Sequence, residues 1–201
     1  MISIALTGGV ATGKSLVAKL LKEHWSDDAA VFSADSAVHV LLTTETIKTK
    51  VSEVFGDGVV GADGEIDRGA LRKVAFRDDS LRRKLEALIH PEVQTMAMKA
   101  ESDAIEGRKR FLVYEIPLLY EVDSPVRRQC DLVVAASRQI QENRLIELRG
   151  LQKELIEHIF TAQMPLEEKM ARADHVIWND GSEAELGMKF ADLIESEAAT
   201  R

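Results

Sequence analysis

The sequence predicts an α/β protein, a three-layer arrangement in which helices cover both faces of a parallel sheet of about five strands. Short apolar runs recur along the 201 residues, and stretches with helical spacing separate them. The runs lack an alternation of polar and apolar residues, which is typical of parallel strands that are buried on both faces. The first run leads through a glycine-rich segment into a helix, as expected for an alternating strand and helix order.

Each strand is predicted from one of five apolar runs. They comprise residues 2–6, 30–32, 111–114, 132–135 and 176–178. The first helix should begin near Lys14, because apolar residues recur at helical spacing after it. The last helix should begin after Ser182, which can form a capping box with Glu185. We interpret Cys130 as a buried structural thiol and Trp178 as part of the core.

Two helical stretches interrupt the core of what we predict to be a single domain. Residues 36–110 contain no convincing central strand. We interpret them as a helical insertion that covers the site of a second substrate, called the acceptor below. Residues 139–172 are interpreted as a helical lid, whose first helix should end at Gly150. The lid cations are Arg144, Arg149, Lys153, Lys169 and Arg172. For Lys153 and Lys169 we favour a solvated helix face. The core then comprises residues 1–35, 111–138 and 173–201.

The composition excludes several classes of protein. A net charge of −8 and a pI of about 5.2 argue against non-specific binding to nucleic acid or to an anionic membrane. A single cysteine excludes an intramolecular disulfide and a thiolate zinc cluster. No apolar run approaches the ~20 residues of a membrane helix, and the first strand leaves no room for a signal peptide. We expect a cytoplasmic protein that is a monomer or a weak homo-oligomer, with neither nucleic acid nor a membrane as its partner.

The segment Gly8–Ser15 is the most informative motif, because it fits the phosphate-binding pattern G-x-x-x-x-G-K-[ST]. Its small residues let backbone N–H groups surround phosphates, Lys14 reaches the β- and γ-phosphates, and the Ser15 hydroxyl can bind Mg²⁺. The helix that follows adds its N-terminal amides and its dipole. The sequence therefore predicts a P-loop fold that binds a nucleoside triphosphate with Mg²⁺. The nucleotide-binding candidates in and after this motif are Gly8, Gly9, Val10, Ala11, Thr12, Gly13, Lys14, Ser15 and Leu16.

Two predicted strands end in carboxylates that suit phosphoryl transfer. Asp35 and Glu115 each follow an apolar run, at the carboxyl edge where ligands bind in open α/β sheets. Asp35 can accept the proton of an acceptor hydroxyl or hold Mg²⁺ through water, and it can also cap the helix that follows. Glu115 could lie behind Mg²⁺. No Asn-Lys-x-Asp segment is present, so a guanine-specific GTPase is disfavoured, and a motor or transporter ATPase would need more chain. A small-molecule kinase fits best.

A longer series of segments extends from Ile4 to about Ser182. It includes Ala5–Gly9, Ser33-Ala34-Asp35 with His39, Phe55-Gly56, residues 63–68, residues 85–91, residues 116–121, Gln141 with Arg144 and Arg149, Gln163-Met164-Pro165, Lys169, Ala173-Asp174, and residues 179–182. The series resembles the dephospho-CoA kinase family over nearly the whole chain. The segments around His90-Pro91, Pro117-Leu118-Leu119 and Ala173-Asp174 to Asn179 carry the greatest specificity.

The resemblance implies ATP-dependent phosphorylation of the ribose 3′-hydroxyl of dephospho-CoA, the last step of coenzyme A synthesis, with Mg²⁺. It makes Lys14 the phosphate clamp, Asp35 the catalytic base, Arg144 and Arg149 lid cations, and Asn179 a neighbour of the adenine. We expect one of the two arginines to contact phosphate and the other to pair with the core, because they point about 140° apart on a helix. The candidates that contact the acceptor are Asp35, His39, His90, Pro91, Pro117, Leu118 and Leu119.

Two of these candidates have structural alternatives, and the chain departs from the family pattern. His39 could equally be a structural histidine, and His90-Pro91 is interpreted as a turn at the acceptor pocket or a structural corner. Ala11 stands where glycine would tolerate a positive φ, and Ser33 replaces the first aspartate of Asp-Ala-Asp. The alternatives are therefore another small-metabolite or nucleotide kinase, or a nucleotide sensor without catalysis.

Overall fold

A single parallel sheet organises the chain. The computed structural model describes residues 1–75, 77–122 and 124–200. Within them the sheet consists of β1 (Ile2–Gly8), β2 (Ala29–Ser33), β3 (Phe111–Glu115), β4 (Cys130–Ala135) and β5 (His175–Trp178). The strand order is β2-β3-β1-β4-β5, and every neighbouring pair is parallel. The five predicted strands are confirmed, each within two residues of its expected limits.

The order places β1 at the centre, where the direction of the strand connections reverses. The chain leaves β1 towards β2 on one side, returns to β3 beside β1, and then crosses to β4 on the other side. Leu6 of β1 is in register with Glu115 of β3, and Gly8 is in register with Val134 of β4. In open α/β sheets the crevice at such a reversal, outside the carboxyl ends of the strands, binds ligands. The glycine-rich motif begins at this position.

Helices connect the strands as the sequence predicts. In the described residues they are α1 (Lys14–Trp25), α2 (Ala34–Leu41), α3 (Glu45–Phe55), α4 (Arg68–Ala75), α5 (Asp79–Glu106), α6 (Arg138–Arg149), α7 (Lys153–Thr161), α8 (Leu166–Arg172) and α9 (Glu183–Thr200). The start of α1 at Lys14 and the end of α6 at Gly150 are confirmed, the latter with φ of 62°. The capping box is confirmed too: Ser182 N–H donates to Glu185 Oε2 at 2.9 Å, and Glu185 N–H donates to Ser182 Oγ at 3.3 Å. No helix in the described segments is long and apolar enough to cross a membrane.

The chain forms two compact units. The first comprises residues 1–33 and the chain from Ala100 onward, and the second comprises residues 34–99. In the first unit, β1, β3 and β4 pack against α1 and α9 through apolar side chains that include Val17, Leu21, Phe190 and Ile194. The second unit has its own core of apolar side chains. They are Leu41, Leu42, Ile47, Val51, Val59, Ile66, Leu71 and Ile89.

Tertiary packing overrides several local predictions. The prediction of a turn at His90-Pro91 is wrong, because α5 runs from Asp79 to Glu106 with Pro91 inside it. A proline inside a helix costs about 3 kcal/mol. The apolar side chains on both sides of Pro91 belong to one cluster, with Ile89 buried and Val93 packed against it, and this burial offsets the cost.

The capping interpretation of Asp35 is also wrong. Helix α2 begins at Ala34, so Asp35 lies within its first turn instead of preceding it. An acidic residue there is stabilised by the helix dipole. Trp178 is not a core residue: it ends the edge strand β5 and is 45% exposed, whereas Ile177 points into the core. Cys130 is buried, as predicted.

Candidate active site

The phosphate loop connects β1 to α1, and its glycines are sterically required. Gly8 has φ of 148°, and a methyl group on it would lie 2.2 Å from the Val134 carbonyl oxygen. Gly13 has φ of 98°, and a methyl group there would lie 2.2 Å from Asn179 Nδ2. Only glycine combines these backbone angles with such close neighbours. The loop is therefore held tightly between β4 and the segment that follows β5.

Ala11 adopts the positive φ that its position suggested. Its φ is 55°, in the left-handed region where a non-glycine residue costs roughly 1–2 kcal/mol. The Ala11 carbonyl accepts a hydrogen bond from Arg144 Nη1 at 3.1 Å, which helps to hold this conformation. Thr12 is buried, and its Oγ1 donates to the Gly9 carbonyl at 3.0 Å. Internal hydrogen bonds thus fix the loop in a strained but compact shape.

Lys14 places its ammonium inside the curve of the loop. Its Nζ lies 2.6 Å from the Gly9 carbonyl oxygen and 3.3 Å from the Gly8 carbonyl oxygen. Lys14 is also the first residue of α1, so its charge adds to the partial positive charge at that helix end. An ammonium, a helix N-terminus and a glycine-rich backbone together make a site for phosphate groups.

Ser15 and Glu115 bring a hydroxyl and a carboxylate together beside the loop. Ser15 Oγ donates to Glu115 Oε1 at 2.6 Å, although the two residues are 100 positions apart. Glu115 ends β3 next to Leu6 of β1 and is 8% exposed. The sequence left the role of Glu115 open, and the contact shows that it belongs to the same site as the loop. Two oxygen donors of this kind fit a hard divalent cation such as Mg²⁺.

Arg144 and Asn179 form a clamp on the outer side of the loop. Arg144, on α6, donates from Nη2 to the Asn179 carbonyl at 2.9 Å, in addition to its bond with Ala11. Asn179 is buried, and its Nδ2 donates to the Thr12 carbonyl at 2.8 Å. Arg144 therefore pairs with the core, as one of the two lid arginines was expected to do. Arg149 is exposed in the last turn of α6.

The turn after β3 depends on a lysine that sequence reasoning misplaced. The Pro117 carbonyl accepts hydrogen bonds from Lys169 Nζ at 2.8 Å and from Thr7 Oγ1 at 3.2 Å. Lys169 is fully buried, so the interpretation as a solvated lysine is wrong. Its Nζ also pairs with Glu121 at 2.8 Å, and Glu121 accepts the Met164 N–H at 3.0 Å. The signal that could have revealed it is the match of Lys169 to the family pattern.

The other two residues of that turn differ in their environment. Leu119 is 1% exposed and packs in the interior, whereas Leu118 is 39% exposed and is accessible to a ligand. Burial raises the pKa of the neighbouring Tyr120 phenol, and the carboxylates of Asp131 and Asp174 raise it further. The Tyr120 hydroxyl therefore stays neutral at physiological pH.

The remaining acceptor candidates belong to the second unit. Asp35 and His39 are both exposed on α2, and His39 Nδ1 lies 3.2 Å from Arg68 Nη1. His90 and Pro91 are exposed on α5. Arg68 was not among the candidates singled out, although it belongs to a segment that matched the family pattern. Together His39 and Arg68 place a hydrogen-bonding pair on the surface of this unit.

Comparisons with known proteins agree with the chemistry of the loop. The family model described as Dephospho-CoA kinase matches residues 2–185. A dephospho-CoA kinase of Symbiobacterium thermophilum is 43% identical over 89% of this chain and 74% of its own length. The crystal structure of TT1252 from Thermus thermophilus is 35% identical, with a TM-score of 0.81 over 96% of this chain and 97% of that one. A dephospho-CoA kinase from Campylobacter jejuni is 22% identical and shares the fold, with a TM-score of 0.69 over 98% of each chain.

Proposed function

The chain belongs to the dephospho-CoA kinase family, and we propose that the phosphate loop and its neighbours carry out the reaction of that family. The enzyme uses ATP to phosphorylate dephospho-CoA, the final step of coenzyme A synthesis. The observation that supports this site is the glycine-rich loop closed around the Lys14 ammonium and clamped by Arg144 and Asn179. The acceptor is the ribose 3′-hydroxyl.

Lys14 and Arg144 supply the positive charge that phosphoryl transfer requires. The Lys14 ammonium exchanges its loop carbonyls for oxygens of the β- and γ-phosphates and stabilises the charge that spreads over the transferred group. Arg144 donates to the loop carbonyl of Ala11 and to the carbonyl of Asn179, and it adds a cation beside the loop. Arg149 contributes a further cation from the end of α6, and Asn179 lies near the adenine. Backbone amides of residues 8–16 complete the phosphate site.

Asp35 is the group that orients the acceptor hydroxyl and takes its proton. It is exposed in the first turn of α2, two residues after the end of β2. In a loose transition state such a carboxylate chiefly positions the hydroxyl and accepts the proton late. The hydroxyl oxygen forms the new bond to phosphorus, the bond to the ADP oxygen breaks, and the proton passes to Asp35.

Mg²⁺ is the metal that this site would hold. Ser15 and Glu115 offer a hydroxyl and a carboxylate oxygen 2.6 Å apart at the carboxyl edge of the sheet. In the described residues no group of three or more His, Cys, Asp or Glu side chains could hold a metal by itself. This fits Mg²⁺, which takes few protein ligands and completes its shell with water and phosphate oxygens. When bound, the ion neutralises charge on the β- and γ-phosphates.

The acceptor is bound by residues 36–110 and by the turn after β3, and residues 139–172 close as a lid. The exposed side chain of Leu118 supports a role for the turn, and the pair of His39 with Arg68 supports a role for the insertion. The acceptor residues are Asp35, His39, His90, Pro91, Pro117, Leu118 and Leu119. A net charge of −8 supports small-molecule partners rather than nucleic acid, in a cytoplasmic protein that is a monomer or a weak homo-oligomer.

A coupled assay of ADP release tests the proposed acceptor. We expect robust turnover with dephospho-CoA and Mg-ATP, and far weaker turnover with AMP, shikimate or gluconate. Faster turnover with one of those three would make the protein another metabolite kinase. Tight binding of Mg-ATP without phosphorylation of any acceptor would identify a nucleotide sensor instead.

A further inference from the structure

The side-chain amide of Gln141 is buried, with its nitrogen unpaired among the described residues. It lies in the first turns of α6 and is 3% exposed. Within the part of the chain that the structure describes, its Nε2 makes no hydrogen bond. Native proteins rarely leave a buried N–H group without a partner, so each such group requires an explanation.

The amide is held against the phosphate loop. A methyl group on Gly9 would lie 3.0 Å from Gln141 Nε2, so the amide packs directly on the Gly9 backbone. The backbone N–H of Gln141 donates to the Ser137 carbonyl at 3.0 Å, and the backbone N–H of Ser137 donates to Asp180 Oδ1 at 2.7 Å. These bonds fix the start of α6, and with it the base of the Gln141 side chain.

The Gly9 carbonyl is not free to accept a hydrogen bond from this amide. The Gly9 carbonyl already accepts Lys14 Nζ at 2.6 Å and Thr12 Oγ1 at 3.0 Å, which occupies both of its lone pairs. Lys14 and Arg144, which also contact the loop, are cations and can only donate, and the Asn179 amide contacts the loop through its Nδ2 donor. Gln141 therefore adds one more donor to a group of donors that surround a phosphate site.

We propose that Gln141 Nε2 donates a hydrogen bond to an oxygen of the terminal phosphate of ATP bound in the loop. Lys14, which reaches the β- and γ-phosphates in this motif, touches the same Gly9 that Gln141 covers. This places Gln141 at the terminal-phosphate end of the loop, whereas Arg144 touches Ala11. The inference rests on the proposed function only in that ATP occupies the loop; it does not depend on the acceptor.

Gln141→Met tests the proposal, because methionine has a similar shape and lacks the amide. Binding of ATP, ADP and dephospho-CoA is measured by calorimetry with Mg²⁺, together with the thermal midpoint of the ligand-free protein. We expect ATP affinity to fall by about 10-fold, as for one lost hydrogen bond to a charged group, and ADP affinity to change by less than about two-fold. The ligand-free midpoint should be unchanged or higher, because an unsatisfied buried group has been removed.

Gln141→Glu and Gln139→Met complete the design. Gln141→Glu keeps the shape but turns a carboxylate towards the phosphates, so ATP affinity should fall further, by on the order of 10²-fold. Gln139, on the same helix turn, is exposed and bonds to Asn143 at 2.9 Å, so Gln139→Met should leave ATP binding unchanged.

Several results would overturn the assignment. Equal losses of ATP and ADP affinity would remove the terminal phosphate as the partner, and a loss confined to dephospho-CoA would move Gln141 to the acceptor. Unchanged ATP affinity in both Gln141 variants, or a lowered ligand-free midpoint with normal ATP affinity, would make the residue structural. If wild-type protein binds ATP but does not phosphorylate dephospho-CoA, the proposed acceptor fails and the role of Gln141 is still decided by the same binding data.

Discussion

Replacing Lys169 by methionine should destabilise the protein more than the loss of a surface lysine can. The Lys169 ammonium is fully buried and lies 2.8 Å from both a Glu121 carboxylate oxygen and the Pro117 carbonyl. Methionine fills most of the same space, but it leaves the Glu121 charge with the Met164 N–H as its remaining partner in that network. Removing one member of a buried ion pair costs about 3–5 kcal/mol.

The exposure of Glu121 determines where in this range the stability loss of Lys169→Met should fall. Its side chain is 20% exposed, so water can partly solvate the unpaired carboxylate. We therefore expect the free energy of unfolding to fall by about 3 kcal/mol. For a chain of this size, 1 kcal/mol corresponds to about 2–4 °C in the melting temperature, so the midpoint should fall by about 6–12 °C. Thermal and urea unfolding of wild type and variant measure the difference.

A double-mutant cycle separates the ion pair from the packing of the lysine stem. Glu121→Gln keeps an oxygen for the Met164 N–H, and the double variant should recover about 1–3 kcal/mol relative to the sum of the single changes. Lys153→Met, on an exposed position, should change stability by less than about 0.5 kcal/mol. A Lys169→Met protein as stable as wild type, or a coupling energy of zero, would refute the reasoning.

Three further predictions concern the proposed catalytic and metal-binding groups. Lys14→Ala should fold normally and lose on the order of 10²–10⁴ in kcat, because the lost charge stabilises the transition state. Circular dichroism checks the folding and steady-state kinetics check the rate, and a kcat within a few-fold of wild type would contradict the prediction. Asp35→Asn should lower the rate by about 10²–10⁴ and leave ATP affinity intact. Because Asp35 lies inside the first turn of α2, the loss of its interaction with the helix dipole should lower the stability by at most about 1 kcal/mol. Full activity of the variant would assign the role of proton acceptor to another group. Glu115→Gln keeps an acceptor for Ser15 but removes the charge, so the Mg²⁺ concentration that gives half the maximal rate should rise about 10-fold. The rate at saturating Mg²⁺ should change little. An unchanged Mg²⁺ titration would exclude Glu115 from the metal site.

The features that the sequence predicts well are local ones. Each strand follows from an apolar run, and the start of α1 and the Ser182–Glu185 capping box depend on residues a few positions apart. The strand order β2-β3-β1-β4-β5 does not follow from the runs, because parallel strands are joined by long crossovers that can place the next strand on either side. Pro91 was misjudged because its local preference for ending a helix is weaker than the packing of α5.

The site was predicted to the extent that a contiguous motif defines it. Lys14 and Ser15 follow from the spacing of the loop, but the partner of Ser15 is 100 residues away and becomes evident only when β1 and β3 are seen to be neighbours. The burial of Lys169 is of the same kind, since its two acceptors, Glu121 and Pro117, come from the turn after β3. A charge pattern on one helix cannot reveal an acceptor on another segment.

The alanine at position 11 shows how the chain accommodates a departure from its family's usual loop. Its backbone adopts the left-handed angle that glycine would reach freely, at a cost of roughly 1–2 kcal/mol. The compensating contacts are the bond from Arg144 to the Ala11 carbonyl and the bond from Asn179 to the Thr12 carbonyl. Because Arg144 also bonds to the Asn179 carbonyl, helix α6 and the residue that follows β5 brace the loop as one network. The strain at Ala11 thus lies in the segment proposed to bind phosphate, where a fixed backbone serves catalysis better than a relaxed one.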